Sequence, residues 1–221
     1  MNQQVYIGRT LITGVGAVLA VLALMLAFSG AAHAAGPNTP NPHATFAPGH
    51  NKIQCFDGTT DGGFGGTCTL KSNGVNAPAT LSNNSSNPNG DYSGVFYQNS
   101  MLIGKTLGSV TQLGYTYSGT LSPLPGNLSL NVPIDTTGDG ATDAYAFVDA
   151  FYCPGTNGTV DVINDTNCGI WFNGVEYANW AAFTAAFPSA TISDLPFVVA
   201  ERTPAEPAAV WTVTNVHLGQ K

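Results

Sequence analysis

Charge is scarce in this chain. Charged side chains make up 9% of its 221 residues, with only six Lys or Arg against thirteen Asp or Glu. Nucleic-acid binding requires clustered cations that displace the counterions of phosphate, and no such cluster occurs, which disfavours that class of partner. No G-x-S-x-G nucleophile elbow is present. Histidine occurs only at His33, His43, His50 and His217. A Ser/His/Asp triad in the folded part would therefore depend on His217 alone. No C-x-x-C pair offers a thiolate metal site, no apolar run beyond residue 34 is long enough to span a bilayer, and no repeat of fixed period is found.

The first residues are organised for export. A short polar stretch with one cation, Arg9, precedes an uncharged apolar run from about Leu11 to Phe28, and small residues stand at Ala32 and Ala34. That layout is a signal peptide cleaved after Ala34. An uncleaved anchor is the competing reading, because the run nearly reaches spanning length. No Cys adjoins the cleavage site, which argues against a lipid anchor. Cleavage removes Arg9 and shifts the formal charge from −7 to −8. Residues 35–51, with Pro37, Pro40, Pro42 and Pro48, read as an extended linker carrying His43 and His50 as solvated bystanders. Residues 52–221 are expected to form one domain without a further membrane span.

All four cysteines, Cys55, Cys68, Cys153 and Cys168, fall in that domain. An exported chain meets oxidising conditions, so two disulfides are expected. Four cysteines allow three connectivities, and the close spacing within each half favours Cys55 with Cys68 and Cys153 with Cys168.

From Lys52 onward the dominant pattern is period-two alternation broken by Gly, Asn, Asp and Pro. This is the pattern of antiparallel sandwiches and barrels. Leu128 to Ile134 alternates apolar and polar residues as a half-buried strand would, with Pro133 placed near an edge or end. Leu113, Tyr115 and Tyr117 alternate likewise, whereas Tyr145 to Tyr152 is apolar on both faces except at Asp149, as in a central strand. Asn173-Gly174 between Ile170 and Tyr177 predicts a type I′ hairpin. Its register sets Trp171 opposite Glu176 on one face and the apolar residues on the other. One short helix should follow, capped by Asn179, with Trp180, Phe183 and Phe187 on one side and Pro188 at its end. The last strand spans Val210 to Leu218.

The closing segment Trp211-Thr212-Val213-Thr214-Asn215-Val216-His217-Leu218-Gly219 resembles the final strand of many secreted jelly-roll modules, carbohydrate-binding ones included. The segments Tyr92 to Tyr97, Gly104 to Leu107 and Tyr177 to Trp180 are similar to recurrent domains of exported bacterial proteins. The resemblance implies an all-β, antiparallel, jelly-roll-like sandwich at the bacterial cell surface or outside the cell, and no ligand is carried over from it.

Two constellations could carry chemistry. Asp135-Thr136-Thr137-Gly138-Asp139-Gly140-Ala141-Thr142-Asp143 places oxygen donors at Asp135, Thr137, Asp139 and Asp143, and so resembles aspartate-rich calcium loops. It departs from an EF-hand in its flanking strands and in having Ala146 where a bidentate Glu belongs. A structural calcium ion is one expectation and a plain polar hairpin the other. Trp171 beside Glu176 can stack on a sugar ring and accept its hydroxyl protons, the alternative being that Trp171 packs in the core. Trp180 and Trp211 are expected in the core.

Glycoside hydrolysis needs two carboxylates. The three glutamates are Glu176, Glu201 and Glu206, the last two flanking a Pro-bearing turn where solvated charge is the ordinary explanation. Asp149, inside an apolar strand, is the acid most open to a raised pKa. The reading that follows is a secreted, non-catalytic module binding a polysaccharide, a cell-surface glycan or another surface ligand. The alternatives are a self-assembling structural protein of the cell surface or matrix, and a glycan-active hydrolase using Glu176 or Asp149.

Overall fold

Alternating side chains on short extended segments, separated by residues that tolerate tight turns, can bury their apolar halves only by stacking two sheets. The computed structural model describes residues 53–59, 64–72, 77–84, 87–98, 100–120, 123–153, 158–204 and 206–220. The expected signal peptide, linker and linker histidines lie outside the described residues. The strands are β1 (Ile53–Asp57), β2 (Thr67–Leu70), β3 (Ala79–Asn83), β4 (Asp91–Tyr97), β5 (Val110–Gly119), β6 (Leu128–Asp135) and β7 (Ala144–Asp149). They continue as β8 (Thr159–Asp161), β9 (Ile170–Phe172), β10 (Val175–Tyr177), β11 (Thr191–Ile192), β12 (Phe197–Arg202) and β13 (Ala209–Gln220). Among the described residues one α-helix, α1 (Trp180–Ala186), lies between β10 and β11.

One sheet has the order β1-β4-β12-β6-β7-β9-β10 with β11 also on β6, and the other the order β2-β3-β13-β5-β8. Every pairing between these strands is antiparallel. The pairs β3/β13, β4/β12, β5/β8 and β6/β7 are nested in sequence, as if one long hairpin had been rolled across both sheets. That is the topology of a jelly-roll sandwich.

Val95, Val198, Leu130 and Val148 pair directly across β4, β12, β6 and β7, and all four are fully buried. They face Leu113, Tyr115, Trp211 and Val213 of the second sheet, which are equally buried. The last strand would lose this alignment under strict alternation, because Val213 and Val216 are both buried. A bulge between Thr214 and His217, with Asn215 at φ 46°, takes up the extra residue and returns Val216 and Leu218 to the core.

Both disulfides form as the spacing favours, Cys55–Cys68 and Cys153–Cys168. The first joins β1 of one sheet to β2 of the other. The hairpin register is also as expected, with Trp171 opposite Glu176 and both turn residues at positive φ. Asn179 caps α1 by accepting the Ala182 N–H at 3.0 Å. Phe183 packs its ring 5.3 Å from that of Phe172, so the helix covers the buried side of the hairpin. Trp180 and Trp211 are core residues. No helix among the described residues is long and apolar enough to cross a membrane.

Two local expectations are corrected and one is narrowed. β6 is not half-buried: all eight of its residues are buried, because strands pair on both of its sides and aromatic rings flank its outer surface. Pro133, expected near an edge or an end, lies near the end of β6 and not on an edge strand. Its carbonyl accepts the Ser193 N–H, so the side on which it lacks a donor faces the junction where β12 ends and β11 begins. The apolar run from Tyr145 does not continue as a strand to Tyr152. Asp149 accepts the Phe151 N–H at 2.8 Å and turns the chain into a 3₁₀ segment, Ala150–Tyr152, leaving Phe151 and Tyr152 exposed.

The Cys153–Cys168 bridge closes a span of 15 residues. Replacing both by Ala should lower unfolding free energy by about 3 kcal/mol, measurable as an earlier urea midpoint without loss of strand content.

Candidate binding face

Directly opposed residues of neighbouring antiparallel strands project to the same side of a sheet. One register line through the larger sheet therefore reads Gln54, Phe96, Phe197, Asn131, Phe147, Trp171 and Glu176 on β1, β4, β12, β6, β7, β9 and β10. It alternates along each strand with the buried line of Val95, Val198, Leu130 and Val148, so it lies on the face turned away from the core. The next line on that face reads Phe56, Gly94, Val199, Ser129 and Asp149, followed by Tyr92 opposite Glu201.

Ring contacts agree with the register. Phe56 lies 4.6 Å from Phe96 and 5.7 Å from Phe197, and Phe197 lies 5.9 Å from Tyr145, centroid to centroid. Gly94 makes room for this cluster: a Cβ there would stand 2.3 Å from the tip of the Phe56 ring. The rings of Phe56, Phe96, Tyr145 and Phe197 are half-buried by one another and Phe147 is half-buried opposite Asn131, whereas Trp171 is 36% exposed. Asn131, between Phe197 and Phe147, forms the floor and donates from Nδ2 to Ser129 Oγ at 3.0 Å. Gln98 donates to Gln54 at the β1 end.

Trp171 thus points outward, away from the buried Ile170 and Phe172, and Glu176 beside it is exposed. The other members of the line were not singled out from the sequence. Their one local signal is an aromatic out of phase with the buried residues, such as Phe147 between Ala146 and Val148.

Two acids of this face, Asp149 and Glu201, have perturbed protonation. Burial, reinforced by the charge of Asp149, pushes the Glu201 carboxyl up to about 7. Burial also raises Asp149, against the opposing pull of the N–H groups of Gly126 and Phe151. Glu206 is not simply a solvated turn charge. Burial works to raise it, but Asn127 Nδ2 at 2.8 Å, the Thr203 N–H at 2.6 Å and the charge of Arg202 together hold it low. Arg202 itself is buried, bonded to Asn127 Oδ1 at 2.6 Å and to the Pro207 carbonyl, and lies 5.5 Å over the Trp211 ring.

The aspartate loop closes on itself. Asp135 accepts the N–H groups of Thr137, Gly138 and Gly140 at 2.9, 2.6 and 2.8 Å. Asp143 accepts the Thr136 N–H and hydroxyl, both at 2.7 Å, and Asp139 accepts the Ala141 N–H at 2.8 Å. These bonds hold Asp135, through Gly140 above all, and Asp143, through the Thr136 hydroxyl above all, below the usual carboxylate range. The Thr137 hydroxyl donates to Asp135 at 3.3 Å. Among the described residues no three His, Cys, Asp or Glu side chains gather into a group that could hold a metal ion.

Comparison with protein families, with curated proteins and with solved structures found no match to this chain.

The two sets of acids act on stability in opposite directions. A carboxyl raised on folding favours the folded state while protonated, so the Glu201 contribution is lost as pH rises from about 4.5 to about 7. The contribution of Asp135 and Asp143, lowered on folding, is present above the ordinary carboxylate range and lost as pH falls below about 4. Thermal melts of Glu201→Gln should show a Tm higher than the parent by roughly 5 °C at pH 8 and unchanged near pH 4. Equal shifts at both pH values would refute the assignment.

Proposed function

We propose that this protein is an exported, non-catalytic module that binds polysaccharide through the outer aromatic face of its larger sheet. The observation that carries the reading is the line from Gln54 to Glu176, in which rings and amides succeed one another on the solvent side of the sheet. A pyranose ring presents C–H groups on its faces and hydroxyls at its rim. Aromatic faces match the first, and amide and carboxylate side chains match the second. The apolar leader before Ala34 and the two disulfides support an extracytoplasmic setting. Trp171 is the most accessible ring of the line and serves as the stacking platform, with Glu176 accepting hydroxyl protons beside it.

A second reading, self-assembly into a surface layer, draws support from the edge strand β10, where Val175 is 51% exposed. Sedimentation across a hundredfold concentration range separates the two, since a glycan-binding module stays monomeric.

Purified protein mixed with insoluble polysaccharides and cell-wall material, with calcium and with a chelator, tests the leading reading. Retention is expected. Trp171→Ala should weaken it at least tenfold with the far-UV signature of the strands retained, although the side chain is only 36% exposed and its truncation also costs stability, roughly 2–4 kcal/mol. Phe147→Ala should weaken it as well. Undiminished retention by both variants, or none by the parent, would remove the reading.

A further inference from the structure

The charges and dimensions of the aromatic face narrow its ligand. Resting on the polysaccharide reading, we infer that the ligand is an uncharged polysaccharide, bound as an internal stretch of chain lying across the strands, and that anionic glycans are rejected.

The charge argument starts from which ionic groups belong to this face. Glu176 stands at one end of the first register line, and Asp149 and Glu201 occupy the neighbouring lines. No Lys or Arg of the described residues falls on these lines. Arg202 is one residue out of phase with Glu201, and its guanidinium is committed to Asn127, Pro207 and the Trp211 ring. A uronate or sulfated chain would bring a negative charge at each repeat against the exposed Glu176 carboxylate, and against Glu201 as well once pH exceeds about 7, with no Lys or Arg on these lines to offset either, a repulsion strongest at low salt. A polycation fares little better at the centre, where Phe96, Phe197, Asn131, Phe147 and Trp171 carry no charge. Asp149 already accepts N–H groups from Gly126 and Phe151.

The orientation argument starts from the sheet. The line runs from edge strand β1 to edge strand β10 across seven strands. At about 4.8 Å per strand this is roughly 29 Å. Binding groups spread over that length, with polar residues at both ends, suit a chain that enters at one edge and leaves at the other. Recognition of a chain end would instead concentrate its contacts at one point.

Equilibrium retention of the full protein on immobilised polymers tests both halves. Neutral glucan, mannan and galactan are compared with polygalacturonate, carboxymethylcellulose and chitosan at low and high salt. At least one neutral polymer should be retained tenfold more tightly than any charged one at low salt. Glu176→Gln should narrow the gap between hydroxyethylcellulose and carboxymethylcellulose. Oligosaccharides of the best polymer should gain at least tenfold in affinity from disaccharide to hexasaccharide.

A charged polymer held as tightly as the best neutral one, or a disaccharide binding as well as the hexasaccharide, would overturn this inference and leave polysaccharide binding standing. Retention of no polymer would overturn both.

Discussion

The fully buried line of Val95, Val198, Leu130 and Val148 ties four strands drawn from distant parts of the chain into one register. A slip of one residue in any of them would turn its apolar set to the outside and its outer residues into the core. In β12 a slip would bury Glu201 between the sheets, and in β6 it would bring Asn131 there in place of Leu130. The hydrophobic cost of such a slip, on the order of 2 kcal/mol for each large side chain displaced, holds the outer face in place. The line of rings and amides on the solvent side exists because its neighbours one residue away are locked inward.

Features set by near neighbours could be read from the sequence. Asn173-Gly174 reports its own turn, Asn179 its own cap, and the paired cysteines are close enough along the chain for spacing to favour their partners. The fold class followed from alternation and from turn residues. The outer face did not. Phe96 and Phe197 are about a hundred positions apart, and their adjacency depends on a β4–β12 pairing that no local pattern announces. Trp171 and Glu176 were visible because one hairpin holds both, while Phe147, their neighbour on the same line, belongs to a strand joined to β9 at that single position.

The misread segments share a cause. β6 looked half-buried because its alternation of Leu and Ser, Leu and Asn, is what one solvated face produces, but strands pair on both of its sides and Asn131 lies between Phe197 and Phe147. Pro133 suggested an edge because proline lacks a donor; a junction between two partner strands meets the same requirement inside a sheet. Asp149 interrupts an apolar run that would otherwise continue, and its two accepted N–H bonds turn the chain there. Neighbours distant in sequence, the partner strands of β6 and the Gly126 N–H on Asp149, meet needs that the local sequence leaves open.

The nested pairing also governs when the fold can form. β13 follows every other described strand, yet it occupies the middle of its sheet, with β3 on one side and β5 on the other. Until it arrives, the earlier strands of that sheet have no common partner and their apolar face lacks Trp211 and Val213. Completion of that sheet therefore waits on β13 and on contacts of high sequence separation, which form slowly.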